Sequence, residues 1–119
     1  MLFNLIDNAL KAIFDAGKGN IFIWLEQNGK HNFLHFKDTG IGLPGDERQD
    51  LFKPFHTRRN NGTGLGLAFC KTVMNNYGGD IVARGRDKQY AHFILKFPLA
   101  EDLQRYKHRY VNDRMRKKV

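Results

Sequence analysis

Asp38-Thr39-Gly40-Ile41-Gly42 and, further along, Gly62-Thr63-Gly64-Leu65-Gly66-Leu67 carry the residue types that a nucleotide site needs. An aspartate at the end of a strand accepts hydrogen bonds from an exocyclic amine, and a carboxylate only accepts, so it favours adenine over guanine, which presents a carbonyl at that place. Glycines let backbone amides approach phosphates without obstruction by a Cβ. Either segment alone is weak, because Asp-x-Gly-x-Gly often marks a turn after a strand and a lone Gly-x-Gly-x-Gly has many uses. Together they point to an ATP site.

Two further segments strengthen this. Upstream lies Asn4-Leu5-Ile6-Asp7-Asn8-Ala9-Leu10-Lys11-Ala12, and between the glycine segments lies Leu51-Phe52-Lys53-Pro54-Phe55-His56-Thr57. Asn4, Asn8 and Lys11 fall on one stripe of a helix whose other stripe holds Leu2, Leu5, Ile6, Ala9 and Ile13, so one face packs and the other is free to meet a ligand. The amide oxygen of Asn8 is a hard ligand suited to Mg²⁺, with Asn4 as the alternative, and Lys11 adds positive charge near a phosphate path.

From Leu2 to about Leu99 the chain resembles the catalytic, ATP-binding domain of sensor histidine kinases in the wider superfamily of GHKL ATPases. Its N, G1, F and G2 boxes occur in this order and at about these separations. The resemblance implies that Asn8 binds Mg²⁺, that Lys11 contacts phosphate, and that Asp38 receives the adenine amino group while Gly40 and Gly42 pass close to base and sugar. It matches Phe52, Pro54 and Phe55 to the F box that anchors the lid, with simple packing a rival for both aromatics. Gly62, Gly64 and Gly66, with Thr63 and Leu65 between them, match the phosphate cradle at the start of the following helix. Thr57, Arg58 and Arg59 fall in the lid, where a basic residue often reaches the terminal phosphate; either arginine has the forked shape for that task. Asn8, Lys11, Arg58 and Arg59 are thus the expected catalytic residues, with Asn4 among those that bind the nucleotide. Gly66-Leu67-Ala68-Phe69-Cys70-Lys71 with Val73-Met74 also looks like quorum-sensing hybrid kinases.

The implied reaction is transfer of the γ-phosphoryl group of Mg-ATP to a histidine on a separate dimerisation domain, with a response regulator or receiver domain downstream. Departures from the family pattern accompany the matches. The usual domain has a further strand and the beginning of a helix before the N box, so the chain reads as N-terminally truncated, with a sheet edge left open. Ala91 stands where a threonine often meets the base. His31, His35, His56, His92 and His108 lie outside any acceptor motif, so no stable self-phosphorylation is expected. A non-catalytic ATP-binding regulatory module fits the same motifs, and DNA-handling or chaperone ATPases of the superfamily are a second alternative, against which the F box and Gly-Thr-Gly-Leu-Gly-Leu argue.

The elements that must position these residues follow from periodicity and turn chemistry. The first helix breaks at Gly17-Lys18-Gly19-Asn20, and Ile21–Leu25 reads as a strand buried on both faces or nearly so. Asn28-Gly29 marks a hairpin, and a strand over about 31–37 delivers Asp38. A short helix is expected around 46–52, then a mobile, basic lid over 54–62 that nucleotide orders. A helix from about Leu65 carries Phe69, Cys70, Val73, Met74 and Tyr77 as its apolar stripe, with Cys70 packed inside, and Gly78-Gly79 ends it. Strands over about 80–84 and 91–97 complete an α/β two-layer sandwich, with helices on one face of a mostly antiparallel, Bergerat-type sheet.

At 119 residues and 41% hydrophobic, the chain supports one core. Its division is therefore read as a catalytic domain over 1–99 and a basic extension, helix or linker, over 100–119. Residues 101–119 hold seven Lys and Arg against three Asp and Glu, so the tail supplies +4 of the +8 net charge. The domain itself is only modestly basic, and no nucleic-acid partner is expected. One cysteine, no membrane-length apolar run and no signal segment suggest a cytoplasmic chain, or the cytosolic part of a membrane-bound sensor.

Overall fold

The structure is a computed structural model that describes residues 1–45, 48, 50–56 and 64–99. Helix α1 (Leu2–Ala16) leads into β1 (Ile21–Gln27) and β2 (Asn32–Asp38); α2 (Gly66–Asn76) precedes β3 (Asp80–Arg86) and β4 (Tyr90–Phe97). The four strands form one sheet in the order β1-β2-β4-β3, every pairing antiparallel. Both helices pack on one face, as the patterning of the sequence implies.

Helix α1 ends because Gly17 adopts φ 74°, a left-handed cap that glycine takes without strain. Leu5, Ala9 and Ala12 are its buried stripe, whereas Leu2 and Ile6, expected inside, are 47% and 38% exposed. On α2, Cys70 and Met74 are buried, but Phe69 and Tyr77 stand out from the expected stripe, each about half exposed. The core joins Leu5, Cys70 and Met74 to Phe36, Ile81, Phe93 and Leu95 of the inner sheet face, with Leu43 and Leu51 from the loops. Burial raises the Cys70 thiol above its ordinary value, and its Sγ donates to the Met1 carbonyl at 3.7 Å, so it acts as a packed, protonated group.

Strand β1 corrects the reading of a doubly buried strand. It lies at the sheet edge, and Phe22 to Gln27 are all exposed. A run of apolar residues reads like a central strand, but α1 packs over β2 and leaves β1 uncovered among the described residues. Of the short helix expected around 46–52, residues 46, 47 and 49 lie outside the described residues, and Arg48 and Asp50–Phe52 lie in turns. The tail over 100–119 lies outside the described residues.

On the outer sheet face, the Trp24 ring stacks on His35, with centroids 4.5 Å apart and planes 5° from parallel. His35 Nε2 lies 2.8 Å from Glu26 Oε1, and its Nδ1 lies 2.8 Å from His92 Nε2. The carboxylate accepts, so His35 donates from Nε2 and can accept at Nδ1 from His92. Burial pushes His92 down to about 4 from 6.5, with His35, Lys37 and Arg84 adding repulsion. The unfolded chain therefore takes up this proton first, and the residue costs stability as pH falls from about 6.5 to about 4. Urea denaturation across that window should show this loss in the native sequence and a shallower slope in His92→Gln; equal slopes would reject the assignment.

Candidate functional site

Helix α1 forms the floor of a cleft of about 230 Å³ whose lining includes Asn4, Asp7, Asn8, Lys11, Asp38, Gly64 and Gly66. These residues come from segments far apart in the chain, and the fold brings them together through two loops that seat on opposite ends of α1. At ~1.5 Å rise per residue, Asn4 and Ala12 are separated by roughly 12 Å along the helix. An extended nucleotide has the same order of length.

One end is built around Asp38, the last residue of β2. It is 4% exposed and lies in register between Ile21 of β1 and Ala91 of β4. Its Oδ1 accepts the Gly40 amide at 3.0 Å, which folds the chain into a turn immediately after the strand. That turn is fixed from both sides: Ile41 N–H donates to the Ala12 carbonyl at 3.1 Å, and Lys88 N–H donates to the Ile41 carbonyl at 2.8 Å. A Cβ on Gly40 would come within 2.4 Å of the Ala12 backbone, and one on Gly42, whose φ is 77°, within 2.2 Å of the Arg86 carbonyl. Both glycines are thus required by the seating of the loop itself. Leu43, Leu51, Ala91 and Phe93 supply apolar wall next to the carboxylate, a setting that suits a flat aromatic base with one hydrogen-bonding edge.

The other end is the start of α2. Gly66 lies against the Asn4 side chain, and an added Cβ would make ordinary contact there at 3.5 Å. The first amides of a helix lack internal acceptors and face the positive end of its dipole, so this terminus favours an anion. Gly64 (φ 70°) precedes it, and its carbonyl accepts the Phe55 amide at 2.8 Å. Phe55 is itself left-handed (φ 68°) and 76% exposed, so packing does not account for it. Phe52 does pack: it meets Phe93 edge to face at 6.4 Å, with Lys71 Nζ 5.3 Å from its ring centre.

Between the two ends, α1 presents Asn4 and Asn8 one turn apart, with Lys11 beyond them. Lys11 is exposed and pairs with Asp7 at 2.8 Å, one helical turn away. Among the described residues no three His, Cys, Asp or Glu side chains converge as a metal cluster. The structure therefore brings together Asn4, Asn8, Lys11, Asp38, Gly42, Gly64 and Gly66, with Gly40 and Leu65 adjoining, while exposed Phe55 is tied to Gly64 beside the cleft. Thr57, Arg58, Arg59, Gly62 and Thr63 lie outside the described residues. Asp7 and His56 also line the cleft and were not singled out from sequence; the spacing of Asp7 and Lys11 was a visible signal for the first, and none existed for the second.

Comparison with known proteins agrees with this geometry. The chain is 37% identical over 98 residues to the CAI-1 autoinducer sensor kinase/phosphatase CqsS of Vibrio cholerae, covering 82% of this chain and 14% of that protein. It is 42% identical over 81 residues to the C4-dicarboxylate transport sensor protein DctB of Rhizobium meliloti, covering 68% of this chain and 13% of that protein. The chain thus spans about one seventh of the length of these relatives. Among solved structures, the catalytic domain of histidine kinase ThkA superposes with a TM-score of 0.69 at 31% identity, covering 82% of this chain and 63% of that one. Full-length ShkA in complex with AMPPNP gives 0.71 at 28% identity, covering 82% of this chain and 20% of that one. No helix among the described residues is long and apolar enough to cross a membrane. The family model described as histidine kinase-, DNA gyrase B-, and HSP90-like ATPase matches residues 1–101, and the chain belongs to that family.

Proposed function

We propose that this chain is the ATP-binding catalytic domain of a two-component sensor histidine kinase, and that it transfers the γ-phosphoryl group of ATP to a histidine on a separate dimerisation domain. The observation that carries the reading is the cleft with two chemically different ends, a buried carboxylate at the end of β2 and a glycine-flanked helix N-terminus beside Asn4. Adenine seats against Asp38, Ala91 and the turn at Gly40, and the phosphates run along α1 toward Gly64 and Gly66.

Asn8 lies on the cleft-lining face of α1 and offers an amide oxygen, and Asp7 lines the same wall. These residues suit Mg²⁺, which takes one or two protein oxygens and completes its shell with water and phosphate oxygens; when bound it would neutralise charge on the β- and γ-phosphates. Asn8 is the residue that would hold it. Lys11 exchanges its partner Asp7 for phosphate, or shares itself between them, and thereby offsets charge that grows on the leaving ADP. The incoming imidazole nitrogen forms a bond to the γ-phosphorus while the bond to the β,γ-bridging oxygen breaks, and that electron pair leaves with ADP. No covalent intermediate on this chain is required; its residues position and neutralise.

The histidine-bearing domain belongs to the same kinase or a sister kinase, and a response regulator or receiver domain takes the group onward. Mixing the chain with a dimeric histidine-bearing kinase domain and γ-labelled ATP should yield an acid-labile, base-stable label on that domain. Tight ATP binding with no label on any supplied histidine domain would favour a purely regulatory ATP module. A stable label on the chain alone would instead place an acceptor histidine within it.

A further inference from the structure

His56 lines the cleft, and its side chain holds a nitrogen that none of the described residues uses. Its Nε2 is fully buried and has no hydrogen-bond partner among the described residues. A buried polar atom without a partner is uncommon in a folded chain, and at a binding cleft it has the character of a group awaiting its ligand. The side chain is held in place from the backbone: the His56 amide donates to the Lys53 carbonyl at 3.3 Å, and the preceding Phe55 is fixed at φ 68° by its bond to Gly64. Gly64 approaches the backbone here so closely that a Cβ on it would lie 2.7 Å from the main-chain nitrogen of His56. His56 is therefore packed beside the Gly64–Gly66 end of the cleft.

Resting on the reading of this cleft as an adenine-nucleotide site, we propose that His56 is a nucleotide-contacting residue whose Nε2–H donates to a polyphosphate oxygen. Phosphate oxygens are acceptors only, so the imidazole must hold its proton on Nε2 when they meet. Charged groups facing the same space are Asp7 and Lys11 of α1 and Asp38 of β2, with Asp50 and Lys53 on the segment of His56 itself. Lys53 is already paired with Asp50 at 2.7 Å, and Lys11 with Asp7 at 2.8 Å. Among the described residues, His56 Nε2 is the buried side-chain donor without a competing partner. It makes the phosphate end selective for nucleotides over nucleosides by a contact separate from the backbone cradle.

Calorimetric titration with ADP and with adenosine tests this on the chain, its His56→Ala variant and its His56→Gln variant. Alanine should weaken ADP about 10-fold, the scale of one hydrogen bond to a charged group, and leave adenosine unchanged. Glutamine, whose amide nitrogen reaches to a similar distance, should recover most of the ADP affinity. In the native sequence, the His56 side-chain ¹⁵N resonance should move with ADP and stay still with adenosine, a readout that needs no substitution. Equal weakening of ADP and adenosine would mean that His56 only packs, and a resonance indifferent to ADP would overturn the contact. If the native chain bound neither ligand, the nucleotide reading of the cleft would fall first, and the assignment with it.

Discussion

Alanine in place of Asn8 is expected to reduce phosphoryl transfer to a supplied histidine domain by ~100-fold or more, the scale of losing one charge-stabilising contact in a transition state. The same variant should still bind ADP without metal, because the Asp38 end of the cleft is about one turn of α1 beyond Asn8, in contact with Ala12 through the Gly40 turn. The signature is therefore a loss of Mg²⁺ dependence: adding the ion should tighten nucleotide binding to the native chain and do little for Asn8→Ala. Calorimetry with and without Mg²⁺, paired with the labelled-ATP assay, separates this from a general loss of fold. Near-native transfer by Asn8→Ala would pass the metal role to Asn4, one turn earlier on the same face, and Asn4→Ala is the matching control.

Asp38→Asn should weaken ADP by about 1–3 kcal/mol, or roughly 5- to 150-fold, and narrow the preference over GDP. The structure gives the reason. Asp38 Oδ1 is engaged by the Gly40 amide, and an asparagine can keep that bond with its own oxygen. Its amide nitrogen then stands where the second carboxylate oxygen was, and presents a donor to the donor on adenine. The carbonyl of guanine meets the same nitrogen favourably, so GDP should lose little or gain. A parallel loss for ADP and GDP would indicate collapse of the turn, and no change for either would remove Asp38 from base recognition.

How far the sequence disclosed this arrangement depended on whether the signal was local. Asn4, Asn8 and Lys11 were legible because helical spacing alone puts them on one stripe, and Asp38 because a strand followed by Gly-x-Gly must turn there. The turns at Asn28-Gly29 and Gly78-Gly79 likewise declare themselves through residue type. What failed were inferences about the neighbours of an element. Ile21–Leu25 looked central because it is apolar, yet burial of a strand depends on what packs over it, and α1 lies over β2 instead. Leu2 and Ile6 erred in the same way on the helix. His56 was invisible for a third reason: nothing in Pro54-Phe55-His56 tells that one imidazole nitrogen will be buried without a partner until the loop is folded against Gly64.

The Phe55–Gly64 hydrogen bond has a meaning for variation as well as for binding. By joining the two ends of the chain between them, it separates the length of that segment from the position of everything on either side. Closing a loop costs entropy that grows only with the logarithm of its length, so doubling the residues between two pinned ends adds about 0.6 kcal/mol. A single residue inserted into α1 between Asn8 and Ala12 would instead rotate one end of the cleft by ~100° relative to the other. Length is thus cheap to change between the pinned Phe55 and Gly64 and costly within α1 between Asn8 and Ala12: relatives that differ in the number of residues between the first pair can keep the same floor, carboxylate and helix start.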